Sequence, residues 1–210
     1  MDYSIIVPCH NVEKEIKNLL ISFHMLNLEN IEYEIIFVLD KCTDNTLGMI
    51  NLFMKDMNYK VIHSFAGAPG LARNLGLNIA NGKYIWFIDS DDWIINPEVL
   101  QQVKHFFIEN NEDMIQIEFV SNFFKIKHFS MVWQYIFTYD LIKDVRFDEK
   151  QNHEDFDFMK KIFTEYRRKK ELLYLSVPTY FYNYNRPGSQ TTKLRGKEEK
   201  EKKELNKEIQ

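Results

Sequence analysis

The chain has 210 residues, 45% hydrophobic and 15% aromatic, with a formal net charge of −4. That length and composition give a globular domain with a sizeable core and exclude a disordered chain. The mild acidity argues against general nucleic-acid or anionic-membrane binding.

Tyr3 to Val7 is a β-rich run ended by Pro8, which predicts the first strand. Asn11 is placed to cap the helix that follows, and Ile16, Leu19, Leu20, Phe23 and Leu26 give that helix one apolar stripe. Glu34 to Leu39 predicts a second strand, with Asp40 at its end. Thr43 and Asp44 then cap a second helix whose stripe is Leu47, Ile50, Phe53 and Met57. Val61 to His63 predicts a short third strand. Gly67, Pro69 and Gly70 punctuate a loop. Leu71, Ala72, Leu75 and Ile79 predict a third helix, with Gly82 as its C-cap. Tyr84 to Ile88 is a continuous apolar run, read as a strand covered on both faces. This β-α alternation predicts an α/β fold with a mainly parallel sheet and right-handed crossovers. Neither a Walker A loop nor a G-x-G-x-x-G after the first strand is present.

After Asp92 the rhythm changes. Asn96 and Pro97 read as N-cap and first residue of a helix to about Asn110. Met114 to Phe129 predicts one or two strands, Trp133 to Ile142 a helix, and Tyr174 to Tyr184 a strand. Asn152 to Arg168 predicts a helix with Phe156, Met159 and Phe163 on one side. From Lys193 onward Lys and Glu alternate, as in a solvated helix or a disordered tail. The two cysteines, Cys9 and Cys42, lack C-x-x-C spacing and signal neither zinc nor redox chemistry. No run is long enough to span a membrane, and the opening residues lack a signal peptide's basic and apolar regions. A cytoplasmic location is expected, with peripheral attachment at the inner membrane face left open.

Asp89, Ser90, Asp91 and Asp92 stand at the carboxyl end of the fourth strand. Open α/β sheets bind their ligands at that edge. Three clustered carboxylates repel one another unless a cation or solvent compensates. Hard oxygen ligands of this kind suit Mg²⁺ or Mn²⁺, which would in turn hold a diphosphate. Asp89 and Asp91 alternate along extended backbone, so they face one way only if the strand has already bent into a loop. The bland alternative is that Asp91 and Asp92 open the next helix.

Several motifs, in order over roughly residues 1 to 190, resemble the family 2 inverting glycosyltransferases of GT-A fold. I-I-V-P-C-H-N-V-E-K-E-I resembles the family's opening V-P-x-Y-N, and V-L-D-K-C-T-D-N-T its V-D-D-G-S-T-D. G-L-A-R-N-L-G through W-F-I-D-S-D-D resembles its A-R-N-x-G stretch and D-x-D strand. Trp133 to Glu149 resembles the segment before the catalytic acid, H-E-D-F-D-F the E-D-x-x-F motif, and N-R-P-G-S-Q-T the C-terminal R-x-x-S stretch. The chain departs from the pattern at His10, usually Tyr, at Leu39, usually Asp, and at Lys41, usually Gly.

The resemblance implies a single GT-A (Rossmann-like) domain with a small acceptor-side lobe. Residues 1–92 would form the nucleotide-sugar-binding half, 93–192 the acceptor-binding and catalytic half, and 193–210 the charged tail. It implies an inverting, metal-dependent transfer of one sugar from a nucleotide-diphosphate sugar, UDP-linked by expectation, to a hydroxyl of a glycan, lipid-linked or protein acceptor. The processive members' Q-x-x-R-W motif is missing, so one sugar per encounter is expected. Asp91 would bind Mn²⁺ or Mg²⁺ directly, and Asp89 would contact the metal, its water or the ribose. Pro8, His10, Asn11, Glu13, Asp40, Arg73, Ser90, Arg186 and Ser189 would surround the donor, with Arg73 on the diphosphate or on the metal-binding acids. Asp155 would be the general base, oriented by Glu154, with His153 a weaker candidate. Trp133, Tyr135 and Tyr139 would either stack on acceptor sugars or fill the core. Two rival readings are a nucleotidyltransferase of similar fold and a non-catalytic sugar-nucleotide or glycan-binding module. The first lacks its G-x-G-T-R loop, and the acids at Asp91 and Asp155 speak against the second.

Overall fold

A computed structural model describes residues 1–122, 131–149, 154–166 and 172–184. Its first four strands are β1 (Tyr3–Cys9), β2 (Tyr33–Asp40), β3 (Tyr59–Ser64) and β4 (Tyr84–Phe87). Helices α1 (Lys17–His24), α2 (Thr46–Met54) and α3 (Pro69–Ile79) connect them. All four strands run parallel, because each crossover helix returns the chain to the same starting edge. The second half contributes β5 (Trp93–Ile94), α4 (Val99–Asn110), β6 (Met114–Ser121), β7 (Tyr135–Thr138), α5 (Tyr139–Ile142), α6 (Glu154–Tyr166) and β8 (Leu173–Tyr182). One sheet results, ordered β3-β2-β1-β4-β7-β6-β8-β5. β7 is antiparallel to β4 and β6, whereas β8 runs parallel to β6 and antiparallel to β5.

Successive residues of the central strands point to opposite faces, and both faces are covered. Ile5, Phe37 and Trp86 pack with Leu19 and Phe23 of α1 and Val103 of α4. Ile6, Val38 and Phe87 pack on the other side with Ala72 and Leu77 of α3 and Phe158 and Ile162 of α6. That double burial is why β1, β2 and β4 read as unbroken apolar runs. Among the described residues, no helix is long and apolar enough to cross a membrane.

Several local expectations are corrected. Asn11 does not cap α1, which starts at Lys17 after a turn closed by the Val12 carbonyl. Asn96 caps nothing directly, but its side chain accepts at 3.0 Å from the N–H of Glu98, the residue just before α4. Residues 133–142 are not one helix: a 3₁₀ turn (Val132–Gln134) leads into β7 and then α5. Pairing on both sides of β7 overrides the helical look of that segment. The buried face of α3 is Gly70, Ala72, Arg73, Gly76 and Leu77, while Leu75 and Ile79 are partly exposed. On α6, Phe158, Met159 and Ile162 are buried and Phe156 is exposed.

Gly82 is not a helix cap either, since α3 ends at Ile79 with an extended Ala80. A Cβ at Gly82 would lie 2.3 Å from Ser4 N and 2.4 Å from the Tyr3 carbonyl carbon. Close approach to the β1 backbone therefore demands glycine here. Gly82→Ala is expected to destabilise the fold by about 1–3 kcal/mol. Urea unfolding checks this, and an unchanged midpoint would contradict the packing assigned to this corner.

Candidate active site

Parallel strands end at one edge, so the loops after β1, β2, β3 and β4 converge there. Two of these loops brace each other. Asn11 takes a left-handed conformation (φ 50°), which Asn tolerates, and its Oδ1 accepts from Thr43 N–H at 2.7 Å and Asp44 N–H at 3.3 Å. Glu13 Oε2 accepts from Asn45 N–H at 2.7 Å, while Glu13 N–H donates to Asp44 Oδ2 at 2.9 Å. Asp44 also accepts from the Thr46 backbone and hydroxyl, so it satisfies the start of α2. Burial opposes its ionised form, but these hydrogen bonds outweigh burial and hold its carboxyl below the ordinary range. Asn11 and Glu13 are thus committed to the loops through their side chains.

His10 is exposed beside them, and its Nδ1 lies 2.6 Å from the Asp40 carbonyl. A carbonyl only accepts, so Nδ1 is the donor in this contact. Asp40 is buried at the end of β2, and its Oδ1 accepts from Gly67 N–H at 3.0 Å. Pro8 is half-buried and Ser90 buried on the same edge.

Arg73 is the centre of the site. Its guanidinium is buried and reaches Asp89 Oδ1 at 2.7 Å, Glu154 Oε1 at 3.2 Å and Asp155 Oδ1 at 3.1 Å. α3, the end of β4 and the start of α6 are brought together by this one cation. Gly70 permits the approach of α3 to α6: a Cβ there would meet Phe147 Cβ at 2.8 Å and Glu154 Cγ at 3.2 Å. Burial works against the charged guanidinium, but Asp155, Asp89 and Glu154 outweigh it and raise its pKa. Of the two places open to Arg73 from sequence, the structure sets it against the acids.

Asp155 is the perturbed carboxylate. Its Oδ2 accepts from Val132 N–H at 3.0 Å. Its Oδ1 is buried and makes no aligned hydrogen bond, despite lying near Arg73. Burial pushes its pKa up to about 7; Arg73 pulls it down, while Asp89 and Glu154 push it up. That value suits a general base working near neutrality.

The acidic stretch after β4 is a turn, closed by Asp92 N–H on the Asp89 carbonyl at 3.2 Å. The strand has therefore bent before Asp91, as alternation required. Asp92 faces inward and is buried, whereas Asp89 and Asp91 are half-buried at the edge. Burial raises the pKa of Asp92, and its acidic neighbours raise it further. Among the described residues, no three His, Cys, Asp or Glu side chains converge on a point that could hold an ion. That donor set still fits Mg²⁺ or Mn²⁺, which take one or two carboxylates and fill the remaining positions with substrate phosphates and water. Asp91 stays at the edge, and Asp89 gives Oδ1 to Arg73.

Trp133 and Tyr135 are each 1% exposed and belong to the core, not to an acceptor surface, and Tyr139 is half-buried. His153, Arg186, Ser189 and the 193–210 tail lie outside the described residues. Sequence reasoning missed Tyr180, Asn183 and the Val132 amide. None belongs to a charged or glycine motif, so only the folded chain brings them to the acids.

The Glycosyl transferase family 2 model matches residues 4–180. The chain belongs to that family. It is 37% identical over 120 residues to the poly(ribitol-phosphate) beta-N-acetylglucosaminyltransferase TarS of Staphylococcus aureus, covering 56% of this chain and 21% of TarS. A poly(ribitol-phosphate) beta-glucosyltransferase of Bacillus spizizenii is 39% identical over 117 residues, covering 54% of this chain and 18% of the relative. The chain thus spans about a fifth of the length of these two relatives. The structure of TarS 1-349 in complex with UDP-GlcNAc superposes with a TM-score of 0.81 at 27% identity, over 91% of this chain and 61% of that one. The GT-A fold expected from the motifs is therefore the fold of this family 2 domain.

Arg73→Met removes the cation and leaves three carboxylates facing one another. The expected loss is about 3–5 kcal/mol of stability at pH 8. It should be smaller at pH 5, where the raised Asp155 is protonated and repulsion is relieved. Denaturant unfolding at the two pH values checks this; equal losses would contradict the ion cluster as the cause.

Proposed function

We propose that this family 2 domain transfers one sugar from a UDP-sugar to an acceptor hydroxyl with inversion, using a divalent cation. The observation that carries the reading is Asp155: a buried carboxylate raised to about 7, joined through Arg73 to the acidic turn. A base and a leaving-group site must lie on one edge for direct displacement, and the nearness of Asp155 to the acidic turn supports that reading. The Asp155 carboxylate takes the acceptor proton as the oxygen attacks the anomeric carbon. The bond from that carbon to the diphosphate breaks, and UDP departs with the electron pair. Asp91, with Asp89 second, would hold Mn²⁺ or Mg²⁺, which supplies charge neutralisation at the leaving diphosphate. Glu154 and Arg73 keep Asp155 oriented. Pro8, His10 and Asp40 lie at the carboxyl edge and would line the nucleoside; Arg186 and Ser189 would close on the diphosphate.

Names of relatives point to the first substrates to try. UDP-GlcNAc, named in the TarS complex, and UDP-glucose, after the glucosyltransferase, are the donors to test first, with poly(ribitol-phosphate) as the leading acceptor within the glycan class. A cytoplasmic site of action follows from a soluble nucleotide-sugar donor.

Asp155→Asn is expected to cut transfer by about 10²–10⁴-fold with UDP-sugar affinity nearly unchanged. Transfer by the parent should rise with pH and level off above about 7, because only the ionised carboxylate accepts a proton. Glu154→Gln is the control for a neighbouring rival. Initial rates against pH decide: a flat profile from pH 5 to 8, or full activity in Asp155→Asn, would refute the assigned base. Separately, Asp91→Asn should keep the fold but lose most Mn²⁺-dependent UDP binding, since an amide lacks the charge the ion needs. Calorimetry showing parental affinity in that variant would remove Asp91 from the metal site.

A further inference from the structure

Tyr180 lies on β8, 88 residues from Asp92, yet its hydroxyl closes the acidic turn. It donates to Asp92 Oδ2 at 2.6 Å and accepts from Asp89 N–H at 3.2 Å. Asp92 Oδ1 accepts from Asn183 N–H at 2.8 Å, and Asn183 Nδ2 donates to the Asp91 carbonyl at 3.3 Å. Residues 89, 91 and 92 are therefore each tied to β8 or to the residue just beyond it. Behind Tyr180 the Trp133 ring stacks at 4.5 Å and 10°. Trp133 belongs to the 3₁₀ turn whose Val132 amide holds Asp155. One continuous chain of contacts that does not pass through Arg73 thus runs from the proposed base to the acidic turn.

We propose that Tyr180, Asp92 and Asn183 are positioning residues that hold the 89–92 turn so that Asp91 faces the cation site. The proposal rests on the functional reading above. Asp92 is the acid that this arrangement turns inward; its role is to accept hydrogen bonds, and Asp91 is left at the edge. A four-residue turn held by backbone bonds alone would sample other orientations. Four hydrogen bonds, two at Tyr180, which is itself stacked on Trp133, and two from Asn183, remove that freedom, which lowers the cost of ordering the ligand when the ion binds.

The test is a Mn²⁺ titration at fixed UDP, followed by calorimetry on the whole chain well below its melting temperature. Tyr180→Phe keeps the ring and its stack but removes both hydroxyl bonds. The Mn²⁺ concentration for half-saturation is expected to rise about tenfold. Asn183→Ala keeps every Tyr180 contact and loses the bond to the Asp91 carbonyl together with an exposed bond from Asn122 Nδ2, so a smaller rise of the same kind is expected; it decides the matter if Tyr180→Phe does not fold. A residue that merely supports the fold would lower melting and leave the Mn²⁺ midpoint in place. Parental midpoints in the folded variants overturn the positioning role while leaving the functional reading intact. A parent whose UDP binding ignores Mn²⁺ overturns both.

Discussion

One buried guanidinium organises this molecule. Arg73 sits on α3 and neutralises carboxylates from the end of β4 and the start of α6. Without it, Asp89, Glu154 and Asp155 could not share so small a buried volume, because like charges in low dielectric repel strongly. With it, the two halves of the sheet meet at one charged seam. The seam is also unbalanced: one cation faces three acids. That excess of negative charge, together with burial, is what keeps a proton on Asp155 to near neutrality. The same imbalance links chemistry to stability. Below about pH 7 the folded protein holds a proton that the unfolded chain releases near pH 4. Asp155 therefore favours the fold at low pH, and the contribution is lost as pH rises through about 7.

Much of this was legible in the sequence. The strands of the first half announced themselves as apolar runs because both faces of the sheet are covered. The acids at Asp89–Asp92 and at Glu154–Asp155 stood out because such clusters are costly without a compensating cation. What sequence could not supply was the partner of each acid. Asp89, Asp91 and Asp92 look equivalent in a row, yet one meets Arg73, one stays at the edge and one is turned inward onto Tyr180. Residues 133–142 also misled, since their helical spacing yields to strand pairing with β4 and β6. Asn11 read as a helix cap, and it does cap a backbone, but in the neighbouring loop. Local pattern identifies the type of hydrogen bond a residue seeks; the fold decides where it finds it.

The carboxyl edge of the sheet is braced by its own backbone. Asn11 and Lys41 both sit in the left-handed region, at the ends of adjacent parallel strands. Such backbone is unfavourable for a lysine and persists only when surrounding contacts fix it. Here Lys41 N–H is held by the Ser64 carbonyl, and Asn11 by its bonds to Thr43 and Asp44. The three loops thus form a rigid rim beside the acidic turn. In the proposed displacement, the rim would hold the leaving group in place and the seam would take up the proton.

The protein environment, not bound substrate, raises the pKa of Asp155. A direct measurement is the carboxyl ¹³C chemical shift of Asp155 in the free protein, followed from pH 4 to pH 9. A midpoint near 7 is the predicted result. A midpoint close to 4, the ordinary value for an aspartate, would contradict the account, because Arg73 would then dominate burial and its acidic neighbours.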